Sequence, residues 1–260
     1  MELIDTHCHL NFNAFKGDFL EVAQRAKQAG VKKIVIPGSN IENSQSALQM
    51  AEKLNREFGE KFAYGGIGIH PVHVDELDRF AEIKNLADRA IAIGECGFDF
   101  YHDKEKRTFK EQSELLQKHF NLAVKHDLPL ILHNREADDE MLVFLENQKT
   151  LPRIVFHCFS SNWRFAEVIL NRGLNLSFTG NITYGNKDLK KVIERAPLEK
   201  ILIETDAPYI VPEPLRSEGI KPNEPAFIVE VAKKIAQIKS FSVEEVAAAT
   251  TKNAEEFFAL

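Results

Sequence analysis

Short apolar runs recur along the chain, each closed by a polar residue or a glycine. Eight of them read as strands: LIDTH (3–7), KIVIPG (33–38), AYGGIGIH (63–70), AIAIGE (90–95), LPLILH (128–133), RIVFH (153–157), LNLSFTG (174–180) and ILIETD (201–206). The second, fourth, fifth, sixth and eighth are almost continuously apolar, as strands buried on both faces of a parallel sheet are. Between the runs lie helical patterns over 18–30, 41–58, 75–90, 109–126, 136–148, 162–173, 186–196 and 224–238. A last one covers 242–258, with a break expected near Thr250–Asn253. In the first, Phe19, Val22, Ala23, Ala26 and Ala29 make one apolar stripe and Gly30 supplies the stop. Strands alternating with helices predict an α/β chain, a (β/α)8 TIM barrel. A doubly wound open sheet is the second reading, because periodicity does not register closure. There is no internal repeat, low-complexity segment or linker, so 1–260 reads as one domain.

Composition narrows the function. A 260-residue chain that is 44% apolar can bury a sizeable core. Its net charge of −6 leaves no general basic surface, so a polyanion has to be held at a local site. Cys8, Cys96 and Cys158 are too few and too scattered for a disulfide scaffold and fit a reducing compartment. The N-terminus lacks the basic and apolar regions of a signal peptide, and no run is long enough to span a membrane. A cytoplasmic protein without a membrane partner is expected. No long apolar helix face is left over, which predicts a monomer.

Candidate chemistry gathers where the strands end. The first ends in His7-Cys8-His9, the fourth in Glu95, the fifth in His133, the sixth in His157 and the eighth in Glu204-Thr205-Asp206. In a parallel barrel all these ends share one rim, where barrel active sites form. Alternation puts His7 and His9 on one face and Cys8 on the other. One histidine at a strand end is usually a hydrogen-bonded rim residue, and one carboxylate there a helix cap. The whole set, buried without partners, would be costly, and metal explains it best. Imidazole with carboxylate suits zinc, manganese, cobalt, nickel or iron better than magnesium or calcium, although magnesium can still serve in activity. The donors exceed what one zinc needs, so two divalent cations per chain are expected, with Glu95 as their bridge. Two such cations less two carboxylates leave the site at about +2, enough to hold a phosphate on an acidic protein.

The motifs DTHCHL, GIHP (68–71), GECGFDF (94–100), LILHNREA (130–137), FHCFS (156–160), ILIETDAPYI (201–210) and NEPAF (223–227) closely resemble, in order, those of the TatD family of metal-dependent hydrolases in the amidohydrolase-like superfamily. The resemblance implies a TIM barrel, a one- or two-metal centre and hydrolysis of phosphodiesters. It implies a deoxyribonuclease that trims single strands from the 3′ end. Carried over by position, His7, His9, Glu95 and Asp206 would hold one metal and Glu95, His133 and His157 the other. Two departures stand out. Ser161 occupies a position that is commonly glycine in the family. No lysine ends the fourth strand, which separates the chain from urease-like, dihydroorotase-like and phosphotriesterase-like relatives with a carboxylated lysine bridge.

For the reaction, Asp206 is expected to orient the attacking water and take its proton, beside Glu95. Arg135 offers a planar fork for phosphate, with a rim salt bridge as its plainer role. His70 is a substrate contact or supporting donor, or else a helix-start residue. Arg216 and Lys221 lie in the Pro-containing segment 207–223, read as a wall of the site. Tyr101 and His102 are candidates for contact with an unpaired base, and Phe98 for the core. The cysteines are expected to pack, and His73, His119 and His126 have no case for ligation. Nucleic acid, single-stranded DNA or RNA, is the expected partner. A metal-dependent amidase, lactonase or esterase on the same barrel is the alternative, followed by a metal- or nucleic-acid-binding protein without turnover.

Overall fold

The computed structural model describes residues 1–260. Eight strands appear in the expected order: β1 (Leu3–Asp5), β2 (Val31–Ile36), β3 (Ala63–Gly65), β4 (Ile93–Asp99), β5 (Leu130–Arg135), β6 (Ile154–Phe156), β7 (Asn175–Phe178) and β8 (Ile201–Ile203). Pairing is parallel from β1 to β3 and from β4 to β8. Two junctions join these arcs. Ile67 bridges Ile93 between β3 and β4, with the Gly94 N–H donating to the Ile67 carbonyl at 2.6 Å. At the other seam the Thr6 N–H donates to the Ile203 carbonyl at 3.2 Å and the Asp206 N–H to the His7 carbonyl at 2.9 Å. The fold is a (β/α)8 barrel, and the open-sheet reading falls away.

Nine helices accompany the strands: α1 (Phe19–Gln28), α2 (Ile41–Phe58), α3 (Phe80–Lys84), α4 (Phe109–His126), α5 (Asp138–Glu146), α6 (Trp163–Asn171), α7 (Lys187–Arg195), α8 (Ile228–Lys239) and α9 (Val243–Phe258). Local chemistry fixes their ends. Asn40 accepts from the Asn43 N–H at 2.7 Å to start α2, and Gly59 at φ +66° stops it. Ser242 and Glu245 form a reciprocal capping box on α9. No helix is long and apolar enough to cross a membrane.

The interior is layered. A cluster of 60 buried residues fills the space between strands and helices. A separate cluster of nine includes Ile4, Val35, Ile131, Val155 and Leu202, with Phe257 and Phe258 of α9 packed on them. Residues of so many different strands can meet only inside the barrel, so α9 plugs its lower end. Two residues further along, the same inward face presents His133 after Ile131, His157 after Val155 and Glu204 after Leu202. The apolar floor thus gives way to a polar rim.

Three expectations need correction. The pattern over 75–90 is not one α-helix: 3-10 turns over Pro71–Arg79 and Ala87–Arg89 flank the short α3. Its apolar positions Leu77, Phe80, Ile83 and Leu86 recur every three residues, the period of a 3-10 helix. The fourth strand does not end at Glu95. It starts at Ile93, shifts register between Ile93 and Cys96, and runs to Asp99. Finally, α9 is unbroken. The Thr250 hydroxyl donates to the Val246 carbonyl at 2.9 Å, and the Asn253 amide donates to the Leu198 and Ile201 carbonyls at 2.8 Å. The Thr250 bond reaches back one turn to a carbonyl of the helix itself, which the helix tolerates, and the Asn253 amide is taken up outside the helix.

His119 of α4 is structural, as expected. Its Nδ1–H donates to the Leu115 carbonyl at 2.8 Å, and its Nε2 accepts from the Ile69 N–H at 3.0 Å. Burial lowers its pKa to about 4 from 6.5. Between those values the unfolded chain binds a proton that the folded one excludes, so stability is lost as pH falls through the window. Urea midpoints at pH 6.5 and 4.5 test this. Wild type should lose about 2 kcal/mol more than His119→Gln, and equal losses would contradict the assignment.

Candidate metal centre

The rim brings the expected residues together around Glu95, whose two oxygens face two different groups. Glu95 Oε2 lies 3.4 Å from His7 Nε2 and 3.5 Å from His9 Nε2. Asp206 Oδ1 approaches the same nitrogens at 3.7 and 3.6 Å. Glu95 Oε1 instead faces His157 Nε2 at 3.1 Å, His133 Nδ1 at 3.5 Å and His70 Nε2 at 3.5 Å. His7, His9, Glu95 and His157 are buried, and Asp206 and His133 are half-buried. Asp206 holds φ +54°, a left-handed conformation uncommon for aspartate, at the turn that follows β8.

Stacking and backbone bonds orient the rings. His7 stacks on His157 with centroids 4.2 Å apart, and His9 stacks on Phe12 at 4.3 Å. The Cys8 N–H donates to the Val35 carbonyl and the His9 N–H to the Ala207 carbonyl, which carries the first strand's path beyond β1 and keeps both imidazoles inward. Asp5 sits beneath them, accepting from the His7 N–H at 3.2 Å and the Thr205 N–H at 3.0 Å.

The donor set fits divalent cations. His7 Nε2 and His9 Nε2 stand 3.2 Å apart, and His133 Nδ1 and His157 Nε2 3.1 Å apart. No lysine or arginine pairs with Glu95 or Asp206. Imidazole lone pairs this close repel unless a proton or a cation lies between them. Burial alone would raise the Glu95 carboxyl, but the positive His157 and hydrogen bonds from His157 and His7 hold it well below the usual range. Burial is likewise outweighed at His157, which Glu95 and Glu204 push well above an ordinary imidazole. Burial and the charge of His157 lower His7.

His70 belongs to the site in a different way. Its Nδ1 accepts from the Val72 N–H at 3.2 Å, so Nε2 carries the proton and points at Glu95 as a donor. His70 thus caps the turn that begins at Pro71 and at the same time faces Glu95. Arg135 forms no salt bridge; its guanidinium lies 3.9 Å over the ring of Tyr101, which is 42% exposed. His102 binds Asp99 at 2.8 Å through Nδ1. Arg216 lies 4.4 Å over Tyr184 and 3.7 Å from Glu213, in the segment after β8. Phe98, Cys8 and Cys96 are core residues. Cys158 is not; its sulfur lies 3.7 Å from the Thr179 hydroxyl. Burial pushes all three thiols well up, so none offers a thiolate.

One carboxylate at the site, Asp99, escaped sequence reasoning, and a second, Glu204, was noted at its strand end without a role. Asp99 Oδ2 lies 3.1 Å from His133 Nε2. Burial opposes its charge, but hydrogen bonds from His133 and His102 keep it below the usual carboxylate range. It stands four residues after Glu95 on one strand, hence on one face, and that spacing was the available signal. Glu204 accepts from the Cys158 N–H at 2.5 Å and approaches His157 Nδ1 at 3.6 Å. Its even spacing from Leu202 and Asp206 marked it.

Known proteins resemble this chain along nearly its whole length. The family described as "TatD related DNase" matches residues 4–259. An uncharacterized metal-dependent hydrolase, YabD, of Bacillus subtilis (strain 168) is 35% identical over 98% of each chain. A 3′-5′ ssDNA/RNA exonuclease TatD of Erwinia amylovora is 30% identical over 99% of this chain and all of that one. The crystal structure of YjjV, a TatD homologue from Escherichia coli K12, superposes with a TM-score of 0.89 at 31% identity, covering 99% and 98% of the two chains. The chain belongs to the TatD family of metal-dependent hydrolases.

Proposed function

We propose that the chain hydrolyses phosphodiester bonds of single-stranded DNA or RNA, working from the 3′ end, at a centre of two divalent cations. The observation that carries the metal count is the splayed Glu95 carboxylate, with Oε2 towards His7 and His9 and Oε1 towards His133 and His157. His7, His9, Glu95 and Asp206 would hold one cation, and Glu95, His133 and His157 the other. Zinc, manganese, cobalt or nickel suit this donor mix. Such cations supply Lewis acidity, lowering the pKa of water and neutralising phosphoryl charge.

The chain's own groups do the rest. Asp206 keeps one oxygen towards His7 and His9, and its side chain is 13% exposed, so its other oxygen is free to take a proton from an attacking water. His70 Nε2–H is a donor for a phosphoryl or leaving oxygen. Arg135 binds phosphate while Tyr101 and His102 meet an adjacent base, and Arg216 with Tyr184 extends the path along the rim. The nucleic-acid reading is supported by relatives named as 3′-5′ ssDNA/RNA exonucleases and by these two arginine-on-tyrosine pairs.

Arg135→Ala should raise KM for a short single-stranded oligonucleotide about tenfold or more, the loss of one charge-assisted bond. Asn134→Ala, whose amide is held by Asp138 at 2.7 Å, should leave KM near wild type. Equal effects of the two would remove Arg135 from the binding path.

A further inference from the structure

We infer that Asp99 is a positioning residue: it fixes His133 in the tautomer that turns a bare Nδ1 towards Glu95, and thereby sets metal affinity in that half of the centre. The inference rests on the metal-centre reading above. Asp99 is 1% exposed near the end of β4. Its Oδ2 lies 3.1 Å from His133 Nε2 and 2.8 Å from His102 Nδ1, and its Oδ1 accepts from the His102 N–H at 2.8 Å. Gln112 of α4 clamps its backbone, accepting from the Asp99 N–H at 3.0 Å and donating to its carbonyl at 3.3 Å. The carboxylate is therefore held in place from both sides.

An ionised carboxylate only accepts hydrogen bonds, so the imidazole nitrogen that faces it carries the proton. His133 is then protonated on Nε2, and its lone pair sits on Nδ1, 3.5 Å from Glu95 Oε1 and 3.1 Å from His157 Nε2. His7, His9 and His157 differ. They face the cluster through Nε2, and their buried Nδ1 atoms have no hydrogen-bond partner. Of the four imidazoles proposed as ligands, His133 alone has its outer nitrogen fastened by a carboxylate at hydrogen-bond distance. Such outer contacts set ring angle and basicity, and losing one typically weakens metal binding about 10–100-fold.

Asp99→Asn makes a sharp test. Oδ1 is kept in place by the His102 N–H, so the amide group replaces Oδ2 and donates to His133 Nε2. That drives the ring proton to Nδ1, the nitrogen needed by the metal. Long-range 1H–15N spectra of the metal-free, 15N-histidine-labelled chain read the tautomer directly. His119, fixed with its proton on Nδ1 by the Leu115 carbonyl and the Ile69 N–H, is an internal standard of the opposite form. Wild type should show His133 bare on Nδ1 and protonated on Nε2, and Asp99→Asn should show the reverse, with His119 unmoved. Zn2+ titration should then find one equivalent bound about 10–100-fold more weakly by the variant. The inference is overturned by a wild-type His133 protonated on Nδ1, by an unchanged tautomer in the variant, or by a swapped tautomer with wild-type Zn2+ affinity. A wild-type chain with the stated tautomer that binds no Zn2+ would count against the metal centre and against Asp99's control of affinity, but not against its hold on the ring.

Discussion

Replacing Glu95 with glutamine is expected to reduce metal-dependent hydrolysis on the order of 10³-fold or more in kcat/KM. Several kcal/mol of charge stabilisation depend on the centre, and each ~1.4 kcal/mol is a factor of ten. Glutamine keeps the shape of the side chain but replaces one oxygen with an amide nitrogen. Either the His7–His9 side or the His133–His157 side would then face a donor that cannot bind a cation. Elemental analysis should show metal content falling from two per chain to one or none. A Glu95→Gln chain that retains two metals and more than a tenth of its activity would deny the bridge.

Gly97→Ala is expected to be as damaging, through the backbone. Gly97 sits in β4 at φ +148°, paired with His133 of β5. A Cβ there would lie 1.9 Å from the His133 carbonyl oxygen and 2.9 Å from its carbon. No rotamer relieves a clash between a Cβ and a main chain, so the two strands must part. Strain and overpacking together should cost about 3 kcal/mol or more, or roughly 6–12 °C in Tm for a chain of this size. Glu95 and His133 ride on the two strands, so metal uptake should fall with it. Gly59→Ala, at φ +66° with nothing within 4 Å of its Cβ, isolates the conformational part and should cost only about 1 kcal/mol. A thermal melt of Gly97→Ala within about 2 °C of wild type would show that the strands yield more easily than this packing implies.

Much of the barrel was legible because its strands are buried on both faces. Continuous apolar runs ended by histidine or carboxylate announce both a parallel sheet and its chemical rim. Helices 41–58 and 109–126 were legible to the residue, since Asn40 and Gly59 bound one, and Asp127, in the left-handed conformation at φ +52°, ends the other. The misreadings share a cause: local signals that point away from what the tertiary structure enforces. Gly94 and Gly97 look like a strand's end, yet they mark where β4 passes against Ile131 and His133 of β5. Reading Glu95 as the terminus hid Asp99 beyond it. Thr250 and Asn253 look like helix breakers, but their side chains bond to a carbonyl a turn back and to neighbouring strand and turn carbonyls. At the site, alternation grouped His7 with His9 and left Cys8 to the core. It could not reveal which nitrogen of each ring faces inward, because that depends on partners such as Asp99 and Val72 that only the folded chain supplies.

The most direct measurement of the central claim is turnover of a short, 3′-labelled single-stranded DNA by chelator-treated wild type, by the same protein reloaded with manganese or zinc, and by reloaded Asp206→Ala. Cutting that is absent after chelation, restored by metal and lost in Asp206→Ala is the predicted result. Metal-loaded wild type, with two cations per chain by elemental analysis, that leaves the strand uncut would contradict the nuclease assignment and direct the centre to amide, lactone or small phosphodiester substrates.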